Sequence, residues 1–107
     1  MKINNDTINT CGTSLMGYLP KPTTYENIVK TFGEPFFDGD GYKTDAEWAI
    51  EFDDGEVATI YNWKNGKNYC GDDGTEIELI TDWNIGGNNQ NVVNRIIEMI
   101  QLKTPKE

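Results

Sequence analysis

The sequence predicts an α+β domain: a small antiparallel β-sheet, a meander, with two helices packed on one of its faces. Three stretches predict it. Polar–apolar alternation flanks Asp54-Gly55, a capped helical segment ends at Gly33, and aliphatic residues recur in pairs over residues 92–100. The 107 residues suffice for one domain and one core, so 1–107 is read as a single domain with 1–6 and 104–107 as frayed ends.

The elements follow in order. Residues 7–18 alternate loosely and are expected to form one or two short strands, broken at Gly12, with Pro20-Lys21-Pro22 stopping any strand. Thr23-Thr24-Tyr25-Glu26 fits a capping box, with Thr23 as N-cap and Glu26 three residues on. Tyr25, Ile28, Val29 and Phe32 then fall at helical spacing, Gly33 supplies a left-handed cap and Pro35 blocks continuation. Residues 38–44 read as a loop.

From Glu47 to Asp53 the alternation places Trp48, Ile50 and Phe52 on one face. Asp54-Gly55 is a two-residue type I′ turn signal, and a return strand from Glu56 to Lys64 follows. That turn sets Phe52 opposite Val57, Ile50 opposite Thr59 and Trp48 opposite Tyr61. The predicted core face is Trp48, Ile50, Phe52, Val57, Thr59, Tyr61 and Trp63, and the other face carries Glu47, Ala49, Glu51, Asp53, Glu56, Ala58, Ile60 and Asn62. Asn65-Gly66 is a second hairpin signal, Glu76–Ile85 contains a further expected strand, and Asn88 or Asn89 caps a last helix with Val92, Val93, Ile96, Ile97 and Ile100 as its stripe.

Composition narrows the function. No apolar run approaches the ~20 residues of a membrane span. The polar start, Met1-Lys2-Ile3-Asn4-Asn5-Asp6, lacks the apolar stretch of a secretory signal. A cytoplasmic, membrane-free protein is expected, with Cys11 and Cys70 as free thiols. A net charge of −9 argues against direct nucleic-acid binding, which needs cations for phosphate.

The acid is concentrated: nine carboxylates between Glu34 and Glu56 face one cation, Lys43. Such a block keeps a protein soluble, or it mimics nucleic acid toward a protein that binds phosphates, or it holds a metal. Asp38, Asp40, Asp45, Glu47 and Glu51 are the candidate partner surface.

The absence of histidine excludes Ser-His-Asp and Cys-His systems and the common zinc sites, and two cysteines are too few for an all-cysteine one. Gly66-Lys67-Asn68 lacks the first glycine and the hydroxyl of a P-loop. Asp38-Gly39-Asp40-Gly41-Tyr42-Lys43 begins like a calcium loop, but Lys43 stands where glycine is needed and Ala49 where a bidentate Glu belongs. Glu47 and Glu51 share a strand face but lie four residues apart, roughly 14 Å, too far for a glycosidase pair. No catalytic residue, metal or cofactor is therefore expected. An enzyme would depend on carboxylates alone or on Cys70, whose activation lacks a histidine.

One cluster is chemically distinctive. Tyr42, Lys43, Lys64, Lys67, Asn68 and Tyr69 gather aromatics, an amide and cations, and such a set binds a nucleotide-like anion by stacking and charge together. The plainer reading makes the aromatics core and the lysines protection for an edge strand. Small domains often build such a pocket between two copies, so a homo-oligomer is a further expectation to examine.

Several motifs occur in a fixed order: Gly12-Thr13-Ser14-Leu15 with Gly17-Tyr18, Phe32-Gly33-Glu34-Pro35, Asp38-Gly39-Asp40-Gly41-Tyr42-Lys43, Ala46-Glu47-Trp48, Ala58 through Lys64, Gly66-Lys67-Asn68-Tyr69, and Trp83 through Gly87. In this order, from about residue 10 to residue 88, they resemble a family of short proteins of unknown function associated with tailed bacteriophages. The resemblance implies a phage accessory protein made in a bacterial cytoplasm, and it carries no catalytic residue across. Together with size, acidity and missing catalytic groups, it leads to the expectation of a non-enzymatic inhibitor that contacts a host defence or nucleic-acid-processing protein. The alternative is a module that sequesters a nucleotide signal through the Lys/Tyr/Asn cluster.

Overall fold

The alternation around Asp54-Gly55 does produce a hairpin, but its loop is one residue longer than the turn signal implied. The computed structural model describes residues 1–4, 7–35 and 45–103. Strands β3 (Glu47–Glu51) and β4 (Val57–Tyr61) pair antiparallel, with Glu51 opposite Val57, Ile50 opposite Ala58, Ala49 opposite Thr59, Trp48 opposite Ile60 and Glu47 opposite Tyr61. The loop is closed by Phe52 N–H donating to Glu56 O at 2.8 Å and Gly55 N–H to Phe52 O at 2.9 Å. Asp53, Asp54 and Gly55 form its tip, and Gly55 takes the positive φ of +90° that such a loop requires.

That single residue corrects the predicted faces. A slip of one moves every β4 side chain to the opposite side. Ala58 and Ile60, expected outside, join Trp48 and Ile50 in the core, all four fully buried. Val57, Thr59 and Tyr61, expected inside, share the other face with Glu47, Ala49 and Glu51.

The sheet has five strands in the order β1-β3-β4-β5-β2, every pairing antiparallel; β1 is Lys2–Ile3, β2 is Ser14–Tyr18 and β5 is Asn84–Gly87. The N-terminus, expected to fray, supplies β1. Asn4 extends that pairing, its backbone N–H donating to Ala49 O at 2.8 Å while its side-chain oxygen accepts Ala49 N–H at 2.9 Å. Residues 7–11 form no strand, and β2 alone represents the 7–18 segment. The strand expected within 76–85 reduces to β5, preceded by a 3-10 turn at Ile77–Leu79.

Both long helices lie on the face of Trp48 and Ile60. Helix α1 (Tyr25–Phe32) buries Ile28 and Phe32 and ends at Gly33, whose φ is +85°. Its N-cap is Thr24, not Thr23: the Thr24 hydroxyl accepts Asn27 N–H at 3.2 Å and Asn27 Oδ1 accepts Thr24 N–H at 3.0 Å. Thr23 is buried and donates its hydroxyl to Pro20 O instead. Helix α3 (Asn91–Lys103) buries Val92, Ile96 and Ile100 as its stripe predicted, and Asn89 Oδ1 accepts Asn91 N–H at 2.9 Å near its start. Gly17 lets α3 close on β2, since a Cβ there would lie 3.1 Å from the Val93 methyls.

Two indoles centre the core. Trp48 and Trp83 are fully buried, 5.6 Å apart edge-to-face, and each donates its ring N–H, to Gly33 O at 2.8 Å and Ile80 O at 2.9 Å. Among the described residues no helix is long and apolar enough to cross a membrane.

The register has a direct test. Ile60→Ala is expected to cost about 2–5 kcal/mol in urea unfolding, because its side chain fills the core. Gly55→Ala is expected to cost about 1–2 kcal/mol for the positive φ. An Ile60→Ala variant as stable as wild type would contradict the register.

Candidate functional site

The face of the sheet without helices holds a concavity. Its floor is Thr59 on β4 and Gly86 on β5, which stand opposite one another. A Cβ at Gly86 would lie 2.5 Å from Thr59 Oγ1 and 3.4 Å from the Tyr61 ring, so glycine there leaves room for the Thr59 hydroxyl and the Tyr61 ring to pack across β5. Tyr61 and Trp63 form one wall, their rings 6.3 Å apart at 80°. Thr10, Thr13 and Ser14 form the opposite wall. There Thr13 donates both its N–H, at 3.2 Å, and its hydroxyl, at 2.7 Å, to Thr10 O. Gly12, at φ +84°, turns the chain between them. Glu47 completes a cleft of about 280 Å³.

Tyr61 is half-buried. Burial pushes its phenol above the ordinary tyrosine value; a hydrogen bond with Asn84 opposes the shift, and the Glu47 carboxylate adds to it. The phenol stays protonated at neutral pH and remains a donor. The cleft thus combines one carboxylate, several hydroxyls and two aromatic rings. A second hollow of about 450 Å³ lies at the end of β2, lined by Tyr18, Leu19, Trp83 and Asn84 and closed by a Lys21–Asp82 ion pair at 2.5 Å.

The residues expected to bind an anion are only partly assembled. Lys64 Nζ sits 5.7 Å from the Trp63 ring centre and 5.5 Å from that of Tyr69. Lys67 points away, 3.4 Å from Glu76 and 3.4 Å from the Asp72 carbonyl. Asn68 lies on the single-turn helix α2 (Lys67–Cys70), its side chain outside the description; Tyr42 and Lys43 fall in 36–44, outside the described residues. The second hairpin expected at Asn65-Gly66 is replaced by α2. Asn65 O accepts Thr75 N–H at 3.0 Å, and Gly66 bridges Thr75 in parallel. Gly66 is needed for space, not for its φ, because a Cβ would strike the Asp45 carboxylate at 2.0 Å.

The acidic candidates are dispersed. Asp38 and Asp40 lie outside the described residues. Asp45 is half-buried and accepts Asn62 Nδ2–H at 3.0 Å. Glu51 lies 3.7 Å from Lys2. At the hairpin tip, Arg95 reaches Asp54 at 2.9 Å and Glu56 at 2.7 Å and stacks 3.8 Å over Phe52, while the N-terminal ammonium donates to Asp53. Of the three that are described, only Glu47 lines the cleft. Both thiols are free and exposed, and Cys70 donates to Lys64 O at 3.3 Å. Among the described residues no three His, Cys, Asp or Glu side chains are grouped to hold a metal.

Sequence reasoning missed Thr10, Thr13, Ser14, Thr59 and Gly86. One signal pointed to the first three: the run from Thr7 to Pro20 contains no charged residue, in a chain that is 25% charged.

The tip makes stability pH-dependent. Asp54 is held below the ordinary carboxylate range by the Glu56 N–H bond and by Arg95, and Asp53 by the N-terminal ammonium. A depressed folded value contributes stability above the ordinary range that disappears as pH falls through it. The urea midpoint should therefore drop between about pH 5 and about pH 3, and Arg95→Gln should flatten that drop; an unchanged pH profile in the variant would sever the link. No protein-family model, no curated protein and no solved structure compared with the chain matches it.

Proposed function

We propose that the protein acts by binding, without catalysis, as an acidic contact inhibitor of a host defence or nucleic-acid-processing protein, in the bacterial cytoplasm that a phage accessory protein would share. The setting rests on the motif resemblance. The contact surface is the helix-free face of the sheet.

One observation carries the choice of surface. Leu15, Tyr18 and Trp63 are 48%, 63% and 45% exposed; Trp63 lines the cleft that holds Glu47, while Leu15, opposite Gly86, and Tyr18, opposite Asn84, stand on the same face of the sheet by register. Exposed aromatic and aliphatic side chains around a concave centre are the usual anchors of a protein interface. The chain's net charge of −9 favours a basic partner and speeds its approach. Sequestration of an anion by Lys64 and Lys67 is the weaker reading, because Lys67 is paired with Glu76 and Lys64 is stacked on two rings.

The test is affinity capture from lysate of infected cells with wild type and with a Leu15→Lys/Tyr18→Lys double variant. A host protein retained by wild type should be lost to the variant, kept by Glu98→Lys on α3, and released by added salt. Losing two anchors is expected to weaken binding about a hundredfold. Identical retention by wild type and the face variant would sink the proposal.

A further inference from the structure

β2 stands at one end of the sheet, and among the described residues no strand pairs with its outer side. Its residues, Ser14-Leu15-Met16-Gly17-Tyr18, include no charged side chain and no proline, and Leu15 and Tyr18 are exposed. Edge strands of monomers usually carry a charge or a proline that blocks further pairing.

The hydrogen bonds on the inner side fix which main-chain groups face out. Leu19 N–H donates to Trp83 O at 3.0 Å, so by the alternation of an antiparallel pair the N–H and C=O of Tyr18 point away from β5. Asn88 N–H donates to Val57 O at 3.3 Å, which turns the groups of Gly87 toward β2. There they meet Ser14, and the groups of Leu15, the next residue, point outward. A regular strand offers outward groups at every second residue. In β2 the register shift between Leu15 and Gly17 sets them three residues apart. The carbonyl of the extra residue, Met16, accepts Gln90 Nε2–H at 3.0 Å and is satisfied within the chain.

We propose that two copies of the chain pair antiparallel along β2 about a two-fold axis, with Leu15 of each copy opposite Tyr18 of the other. A regular strand matches one of those two positions, whereas a second copy has the same bulge and matches both. Both side chains stand on the helix-free face by register, so the pairing adds two aliphatic–aromatic cross-strand contacts and joins the two five-stranded sheets into one. Charge selects the same occupant. Each chain carries −9, so a strip shared between two copies has to be free of charge, and none occurs from Thr7 to Pro20. This inference goes beyond the contact reading and does not depend on it.

Sedimentation velocity of the full chain tests it. Wild type should sediment at twice the mass of one chain. Added salt should tighten the dimer by screening like net charges, the reverse of its effect on a basic partner. Leu15→Lys/Tyr18→Lys sets like charges opposite each other twice and should weaken the dimer about tenfold or more. Leu15→Lys/Tyr18→Glu sets opposite charges at the same positions and should restore it. Leu15→Pro removes an outward N–H that β5 does not use, and should be a monomer with wild-type circular dichroism. Wild type that stays monomeric at millimolar concentration, a dimer indifferent to these variants, or a lysine/glutamate variant no more dimeric than the two-lysine one would overturn the inference. Sedimentation of the pure chain decides the dimer whatever host-protein capture shows, so the two readings stand or fall separately.

Discussion

Phe52 and Glu56 close the β3–β4 hairpin across a three-residue tip, and the rest of the sheet inherits its faces from that closure. β4 is the central strand, paired with β3 on one side and β5 on the other, so its register passes to β5 and through β5 to β2. With Ile60 inward, Ile85 opposite it also turns inward, and both meet Ile28, Ile96 and the two buried indoles in one cluster. With Thr59 outward, Gly86 opposite it becomes the floor of the cleft. Arg95 secures the tip from α3 by bridging Asp54 and Glu56 and stacking on Phe52, so the turn and the last helix hold one another in place.

A buried amide performs the same service at the other end of β4. Asn62 is fully buried, yet each of its polar atoms has two partners: its oxygen accepts the N–H groups of Asp45 and Ala46 at 2.7 and 3.2 Å, and its nitrogen donates to Asp45 and Asn65 at 3.0 Å each. Leaving such groups unpaired in the interior costs about 1–3 kcal/mol each, so the segment entering β3 and the loop leaving β4 are tied to one side chain. That anchoring explains why Asp45 belongs to the framework and why Asn65-Gly66 continues into a helical turn. It also sets Trp63, just beyond Asn62, at the mouth of the cleft.

The distribution of charge follows from these ties. Several of the described carboxylates between Glu34 and Glu56 are taken up by cations from other parts of the chain. Arg95, Lys2 and the N-terminal ammonium take up Asp54, Glu56, Glu51 and Asp53. Glu47 lines the cleft together with aromatic rings and hydroxyls.

The sequence by itself determined the α+β class, the two long helices with their buried stripes, and the existence of the central hairpin. Each of these depends on periodicity and local capping, which neighbouring residues specify. Trp48, Ile50, Val92 and Ile96 were legible as core for that reason. The tertiary structure decided the register, the N-cap choice between adjacent threonines, and the cleft. The turn length could not be read from Asp54-Gly55, because that pair serves a two-residue or a three-residue loop equally, and in the longer one seen here Asp54 and Glu56 are held by Arg95, distant in the chain. Thr10, Thr59 and Gly86 are ordinary residues in sequence. They become a site only because β5 and the 10–14 segment, far apart along the chain, are brought together across the same face of the sheet.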